Sequence, residues 1–322
     1  MKRAIVAFSL STLVASAISA GANELTAAHA NPPGEPSNVA FAELAERLAE
    51  SETGLSMVVF PQGQMGGEAD AVEQVRLGAL TMTTIASSAL TSFAPSVGVF
   101  DIPFLFRDQD SHPWAVIDGP IGEEMNQRIL EEAGLEVLGW WSAGMRHVFT
   151  RNVDVETPDD LAGLRIRVIG SPVYIDTFNQ LGAQATPMPY PEVYTALATG
   201  TVDAAENDSS GYRNMRFWEH APHLSLTGHF FLYKPVVANP DLMAQLSPEQ
   251  REEFDRIFAE VTERQRALFS RNFETDLEAL RAEGVIVTEP DRDEFAERLQ
   301  PVVDRFSEIY GADLVQRIRD AE

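Results

Sequence analysis

Segments with helical spacing alternate with short apolar runs along this chain, and a glycine or proline marks most of the junctions. Phe41, Leu44, Ala45 and Leu48 fall at i, i+3, i+4 and i+7, one face of a helix that Ser37 can cap. Gly54 follows where a left-handed residue ends a helix, and the run Met57 to Phe60 is then closed by Pro61. Glu68 to Leu77 and the segments around Met125, Ile129 and Leu130, around Val173, Tyr174 and Leu181, and around Val193, Tyr194 and Leu197 read as helices. They stop at Gly78, Gly134, Gly182 and Gly200. Met82 to Ala86, Leu135 to Trp141, Leu164 to Val168 and Thr201 to Ala205 read as strands, and Thr157-Pro158 opens a short helix among them. Strands and helices in this order predict an α/β protein with mostly parallel sheets flanked by helices.

The last third differs. Ser247-Pro248-Glu249-Gln250 is a capping box, and apolar positions from Phe254 to Leu280 keep helical spacing up to Gly284. About 35 residues at 1.5 Å each give roughly 50 Å, longer than a small lobe is wide. Such a helix is expected to brace two lobes; two helices broken near Ser270 to Asn272 are the alternative. The 322 residues suit two domains at roughly 150 each. No linker separates them, so strands are expected to cross between the lobes.

Met1-Lys2-Arg3, the uncharged and mostly apolar run Ala4 to Ile18 and the small-residue site Ala20-Gly21-Ala22 read as a secretory signal peptide. Residues 1–22 would be removed, leaving a chain that begins at Asn23 in the periplasm. No other run is long enough to span a bilayer and no cysteine can carry a lipid, so no direct membrane anchor is expected. The absence of cysteine also excludes thiolate catalysis and cysteine-held metal. With 49 acidic and 24 basic residues the formal charge is −25, which argues against nucleic acid as a partner. After loss of Lys2 and Arg3 the only lysine is Lys234.

Motifs of nucleophile elbows, zinc proteases and phosphate- or dinucleotide-binding loops are missing. Histidines at 220 and 223 are three apart, but Pro222 between them disfavours a helical pair of metal ligands. Scarce positive charge is more informative. In the strand Leu164 to Val168, alternation puts Leu164, Ile166 and Val168 on one face and Arg165 and Arg167 on the other. Arg165 reads as solvated. Arg167 lies near the carboxyl end, the edge where open α/β sheets bind ligands.

The run TPDDLAGLRIRV followed by LGAQATPMPYPEVYTALATGTVDAAEN, within Thr157 to Asn207, resembles the signature region of TRAP (tripartite ATP-independent periplasmic) transporter solute-binding proteins of the dicarboxylate-receptor type. FPQGQMGGEADAVEQVRLGAL, from Phe60 to Leu80, and IPFLF, from Ile102 to Phe106, are similar to the same family, so the resemblance covers essentially the whole chain. It implies a periplasmic-binding-protein-like fold whose two lobes close on a small organic anion. It also implies partnership with membrane permease subunits, and neither catalysis nor a cofactor. By position, Arg167 corresponds to the arginine that salt-bridges the ligand carboxylate, and Arg146 in Gly144-Met145-Arg146 to a second arginine. Tyr190 corresponds to an aromatic that packs on the ligand and Asn207 to an asparagine of the site. Ser87 or Ser88 stands where first-lobe polar contacts arise, and Trp140 is a candidate for lining the cleft. The lobes would comprise residues 23–144 with 232–270, and 145–231 with 271–322.

Departures from the pattern bear on the ligand. Alanine at 204 replaces a glycine, and Asp208 stands where proline or asparagine is common. An acid at 208 facing the cleft would disfavour a dianion. Ser171-Pro172-Val173-Tyr174 after Arg167 resembles members that bind sugar acids. A hydroxylated monocarboxylate such as a uronate or aldonate is therefore the expected ligand. A receptor for another import system and an exported enzyme acting on an organic acid remain the alternatives.

Overall fold

Two long antiparallel strands organise the protein, whose computed structural model describes residues 24–322; the signal peptide read over residues 1–22 lies outside them. The chain begins with β1 (Glu24–Ala28), α1 (Pro36–Glu50), β2 (Ser56–Phe60), α2 (Glu68–Arg76), β3 (Met82–Thr84) and α3 (Ser87–Leu90). A 3₁₀ turn (Pro95–Asp101) leads to α4 (His112–Ile117), α5 (Pro120–Ala133) and the first long strand, β4 (Glu136–Thr150). Then come β5 (Arg165–Val168), α6 (Pro172–Gln180), β6 (Gln184–Pro187), α7 (Val193–Thr199), β7 (Ala204–Asn207) and α8 (Ser209–Asn214). The second long strand, β8 (His223–Ala238), is followed by α9 (Pro240–Met243), α10 (Pro248–Ala282), β9 (Ile286–Thr288), α11 (Arg292–Tyr310) and α12 (Ala312–Asp320).

The strands form one mixed sheet in the order β2-β1-β3-β8-β4-β7-β5-β6, with β9 also on β8. Its flanks are parallel: β2, β1 and β3 on one side, β7, β5 and β6 on the other. Between them β4 and β8 pair antiparallel from Glu136↔Ala238 to Thr150↔His223. One end of the pair belongs to a first lobe with β1–β3 and the other to a second lobe with β5–β7, so both long strands cross between lobes.

Helix α10 is a single helix of 35 residues, opened by the expected capping box at Ser247 and Gln250. Its first half buries Phe254, Ile257, Phe258 and Val261 with the first-lobe residues Phe41, Leu44 and Trp141. Its second half places Leu277 and Leu280 with Phe149, Leu197 and Tyr212 of the second lobe. The brace therefore has a hydrophobic footing at both ends. At the C-terminus, α12 turns back to the first lobe, where Arg107 donates to the carbonyls of Arg319 and Ala321.

Several local readings shift. Glu35, not Ser37, caps α1, because Pro36 takes the first helical position and the Glu35 carboxylate accepts from the Ser37 and Asn38 amides. The strand read to Trp141 runs on to Thr150 through a register shift between Ser142 and Met145, where Gly144 has φ 71°. The strand read over 201–205 lies at Ala204–Asn207. Leu130 is on the outer face of α5 and 41% exposed.

Candidate ligand-binding site

The carboxyl ends of the parallel strands from both lobes surround a cavity of about 360 Å³, within the range of ~300–1,000 Å³ common for small-molecule sites. From the second lobe come Arg167 on β5, Tyr190 in the 3₁₀ turn Tyr190–Glu192, Asn207 at the end of β7 and Asp208 beyond it, and the crossing strand β4 adds Arg146. The first lobe supplies Asn31, Glu35 and Glu68, and β8 supplies Lys234.

Strand alternation decides the fate of the two β5 arginines. Ile166 and Val168 are fully buried on one face. On the other face, Arg165 sits at the outer end, exposed and paired with Asp203. Arg167 is at the inner end and only 3% exposed. Its Nε and Nη2 donate to the Met188 carbonyl at 3.0 and 2.7 Å, and its guanidinium lies 5.9 Å from the Tyr190 ring centroid. Burial pulls the Arg167 proton affinity down, against the opposing charge of Glu206. Among the described residues Arg167 makes no ion pair, unlike the two other cations of the cavity wall.

Arg146 is held rather than free. Nε and Nη2 donate to the two Glu206 carboxylate oxygens at 2.7 and 3.1 Å, and Nη1 donates to Asn207 Oδ1 at 2.5 Å. Burial weakens its hold on the proton, but Glu206 reverses this and the net shift is upward. Asp208 Oδ2 is 3.4 Å from Nη1, while Oδ1 caps α8 by accepting from the Gly211 amide at 2.7 Å. Asn207 Nδ2 donates to Tyr190 Oη at 3.0 Å. Arg146, Asn207, Tyr190 and Asp208 thus form one connected wall beside Arg167.

The opposite wall holds polar groups that sequence reasoning did not single out. Lys234 Nζ donates to Asn31 Oδ1 at 2.6 Å and lies 3.3 Å from Glu68. Glu35 is buried beside it, and burial pushes its carboxyl up to about 7, against the pull of Lys234 and with the repulsion of Asp208. Lys234 had one signal, its being the only lysine beyond residue 22; Glu35, Glu68 and Asn31 had none among so many acids and amides. Arg146 is paired with Glu206 and Lys234 with Glu68, whereas Arg167 has no carboxylate within ion-pair distance among the described residues.

Two candidates stand elsewhere. Trp140 packs in the core, its Nε1 donating to Asn126 Oδ1 at 2.8 Å and its ring against Phe100 and Tyr233, because the strand face it occupies turns away from the cavity. Ser87 is fully buried and off the cavity wall, which Ala86 before α3 and Ala89 on it line instead; Ser88 is bonded to Asp101. Of the paired histidines, His223 binds Asp154 and His220 packs on Tyr194. Among the described residues there is no cluster of three or more His, Asp or Glu that could hold a metal ion. None of their helices is long and apolar enough to cross a membrane.

Comparison with known proteins places this geometry. Residues 27–309 match the bacterial extracellular solute-binding protein family 7. The 2,3-diketo-L-gulonate-binding periplasmic protein YiaO of Escherichia coli is 32% identical over 99% of this chain and 96% of its own. A TRAP periplasmic solute-binding protein of Pseudomonas putida F1, solved with bound D-glucuronate, superposes with a TM-score of 0.87 at 32% identity, over 93% of this chain and 97% of that one. The sugar acid binding protein of Advenella mimigardefordensis, solved with galactonate, gives 0.89 at 28% identity, over 93% and 97%. The chain therefore belongs to family 7 of the bacterial extracellular solute-binding proteins, the solute-binding proteins of TRAP transporters.

Proposed function

We propose that this protein is a periplasmic receptor that captures a polyhydroxylated monocarboxylate, a uronate or an aldonate, and delivers it to the permease subunits of its transporter without chemically altering it. The observation that carries the reading is Arg167, a guanidinium buried in the cavity wall with no ion pair among the described residues. One free cation calls for one carboxylate, and a planar fork binds it with two parallel hydrogen bonds. A second carboxylate would meet Lys234 already paired with Glu68, and Glu35 and Asp208 nearby. Those same groups are well suited to hydroxyls: Glu35, Glu68 and Asp208 accept, Lys234 and Asn31 donate. Tyr190 adds an apolar face.

The related receptors solved with D-glucuronate and galactonate support the same ligand class. In this reading residues 23–144 with 232–270 form one lobe and residues 145–231 with 271–311 the other, α12 packing back on the first lobe, and ligand capture is lobe closure about β4, β8 and α10. Titration calorimetry of the chain lacking residues 1–22 with D-glucuronate, D-galactonate and succinate tests it. A sugar acid is expected to bind at least tenfold more tightly than succinate. Preferential binding of the dicarboxylate would overturn the assignment.

A further inference from the structure

Behind the cavity, one more carboxylate is buried. Asp101 ends the 3₁₀ turn Pro95–Asp101 in the first lobe and is 1% exposed. Its Oδ1 accepts from Ser88 Oγ and its Oδ2 from Ser171 Oγ, both at 2.6 Å, and both serines are fully buried. Ser88 lies on α3 in the same lobe. Ser171 is the residue at which α6 starts, in the second lobe. Among the described residues Asp101 has no ion pair; the titratable groups that act on it or feel its charge are Glu206, Tyr174 and Tyr310.

Each serine adjoins the cavity wall. Ala86 and Ala89 flank the Ser88 turn, and Ile169 and Gly170 lead into Ser171, four residues beyond Arg167. Asp101 therefore reaches both walls from the back. An apolar side chain would fill this space with a smaller desolvation penalty. What the carboxyl group adds is direction: two short hydrogen bonds fix a register, whereas a hydrophobic contact can slide.

We propose that Asp101 is a positioning residue that ties the second lobe to the first through Ser171, and so populates the arrangement of lobes seen here. Both partners belong to the chain, so the tie acts with or without a ligand. Losing it lowers the fraction of molecules in the binding arrangement, and the apparent Kd rises by the same factor. The net contribution of one such buried hydrogen bond shifts the equilibrium by up to roughly tenfold. The Ser88 bond lies within one lobe and serves as the internal control.

The chain has no cysteine, so Glu46→Cys on α1 and Thr195→Cys on α7, both exposed, accept a pair of spin labels, one on each lobe. Without ligand, the distance distribution should include the separation of this structure. Ser171→Ala and Asp101→Ala should lower the ratio of that separation to all others by up to about tenfold, and Ser88→Ala should leave it. A wild-type chain without that separation, or equal responses to Ser171→Ala and Ser88→Ala, would overturn the tie. A second arm, resting on the ligand reading, follows D-glucuronate dissociation, which Ser171→Ala should accelerate. Failure of D-glucuronate to bind would count against the ligand class, while the ligand-free distances would still decide the tie.

Discussion

Replacing Arg167 by alanine should separate binding from stability. In the proposed ligand-bound state the substitution would remove both hydrogen bonds to a carboxylate that closure takes out of water. Truncating one partner of such a buried charge pair costs about 2–5 kcal/mol, a loss of roughly thirtyfold to several thousandfold in affinity. In the ligand-free protein the balance is different. Arg167 is 3% exposed, has no ion pair among the described residues and gains only the bonds to the Met188 carbonyl and the Tyr190 ring. Removing a buried cation with so little compensation relieves desolvation, so the melting temperature should stay level or rise. Arg167→Lys keeps the charge but loses the fork and should recover only part of the affinity. Calorimetric titration with D-glucuronate and a thermal melt of the same samples read both quantities. An affinity within threefold of wild type for the folded Arg167→Ala chain would refute the reasoning.

Arg146→Ala should behave in the opposite way, because it strands the fully buried Glu206 carboxylate; a stability loss of about 3–5 kcal/mol in denaturant unfolding is expected. Arg165→Ala, at an exposed pair with Asp203, should leave ligand affinity unchanged within twofold, and a large loss in titration would mean that the faces of β5 are misassigned. Tyr190→Phe keeps the ring and deletes the hydroxyl that accepts from Asn207, so it should weaken binding less than Tyr190→Ala does. Burial raises the Glu35 carboxyl from 4.5 to about 7, so folding favours its protonated form. Its destabilising effect is absent below the ordinary range and grows as pH rises from about 4.5 through 7. The melting temperature of Glu35→Gln relative to wild type should therefore climb across that window, and a flat difference would contradict the assignment.

Elements punctuated by glycine were legible in the sequence. Gly134 and Gly200 adopt φ 69° and 70° at the ends of α5 and α7, a backbone state that other residues adopt with strain. The capping box of α10 was legible because its residues bond to their own neighbours. The full length of β4 was not, because a bulge and Gly144 interrupt its alternation and its partner β8 lies some ninety residues away in the chain. On the site, family position and strand alternation both pointed to Arg167, and the connected wall of Arg146, Tyr190, Asn207 and Asp208 followed from position. The first-lobe wall did not, since Asn31 and Glu35 in the β1–α1 connection, Glu68 on α2 and Lys234 on β8 come from three separate segments that only the sheet order brings together. Trp140 misled because a tryptophan near a cleft and one in a core look alike until the bulge sets which face it occupies.

The most direct test of the account is a crystal structure of this chain with D-glucuronate bound. The account predicts that the ligand carboxylate meets Arg167 through two N–H···O bonds of about 2.7–2.9 Å, with the hydroxyls turned toward Glu35, Glu68, Asn31 and Lys234. A carboxylate seated on Lys234, with hydroxyls facing Arg167, would contradict it.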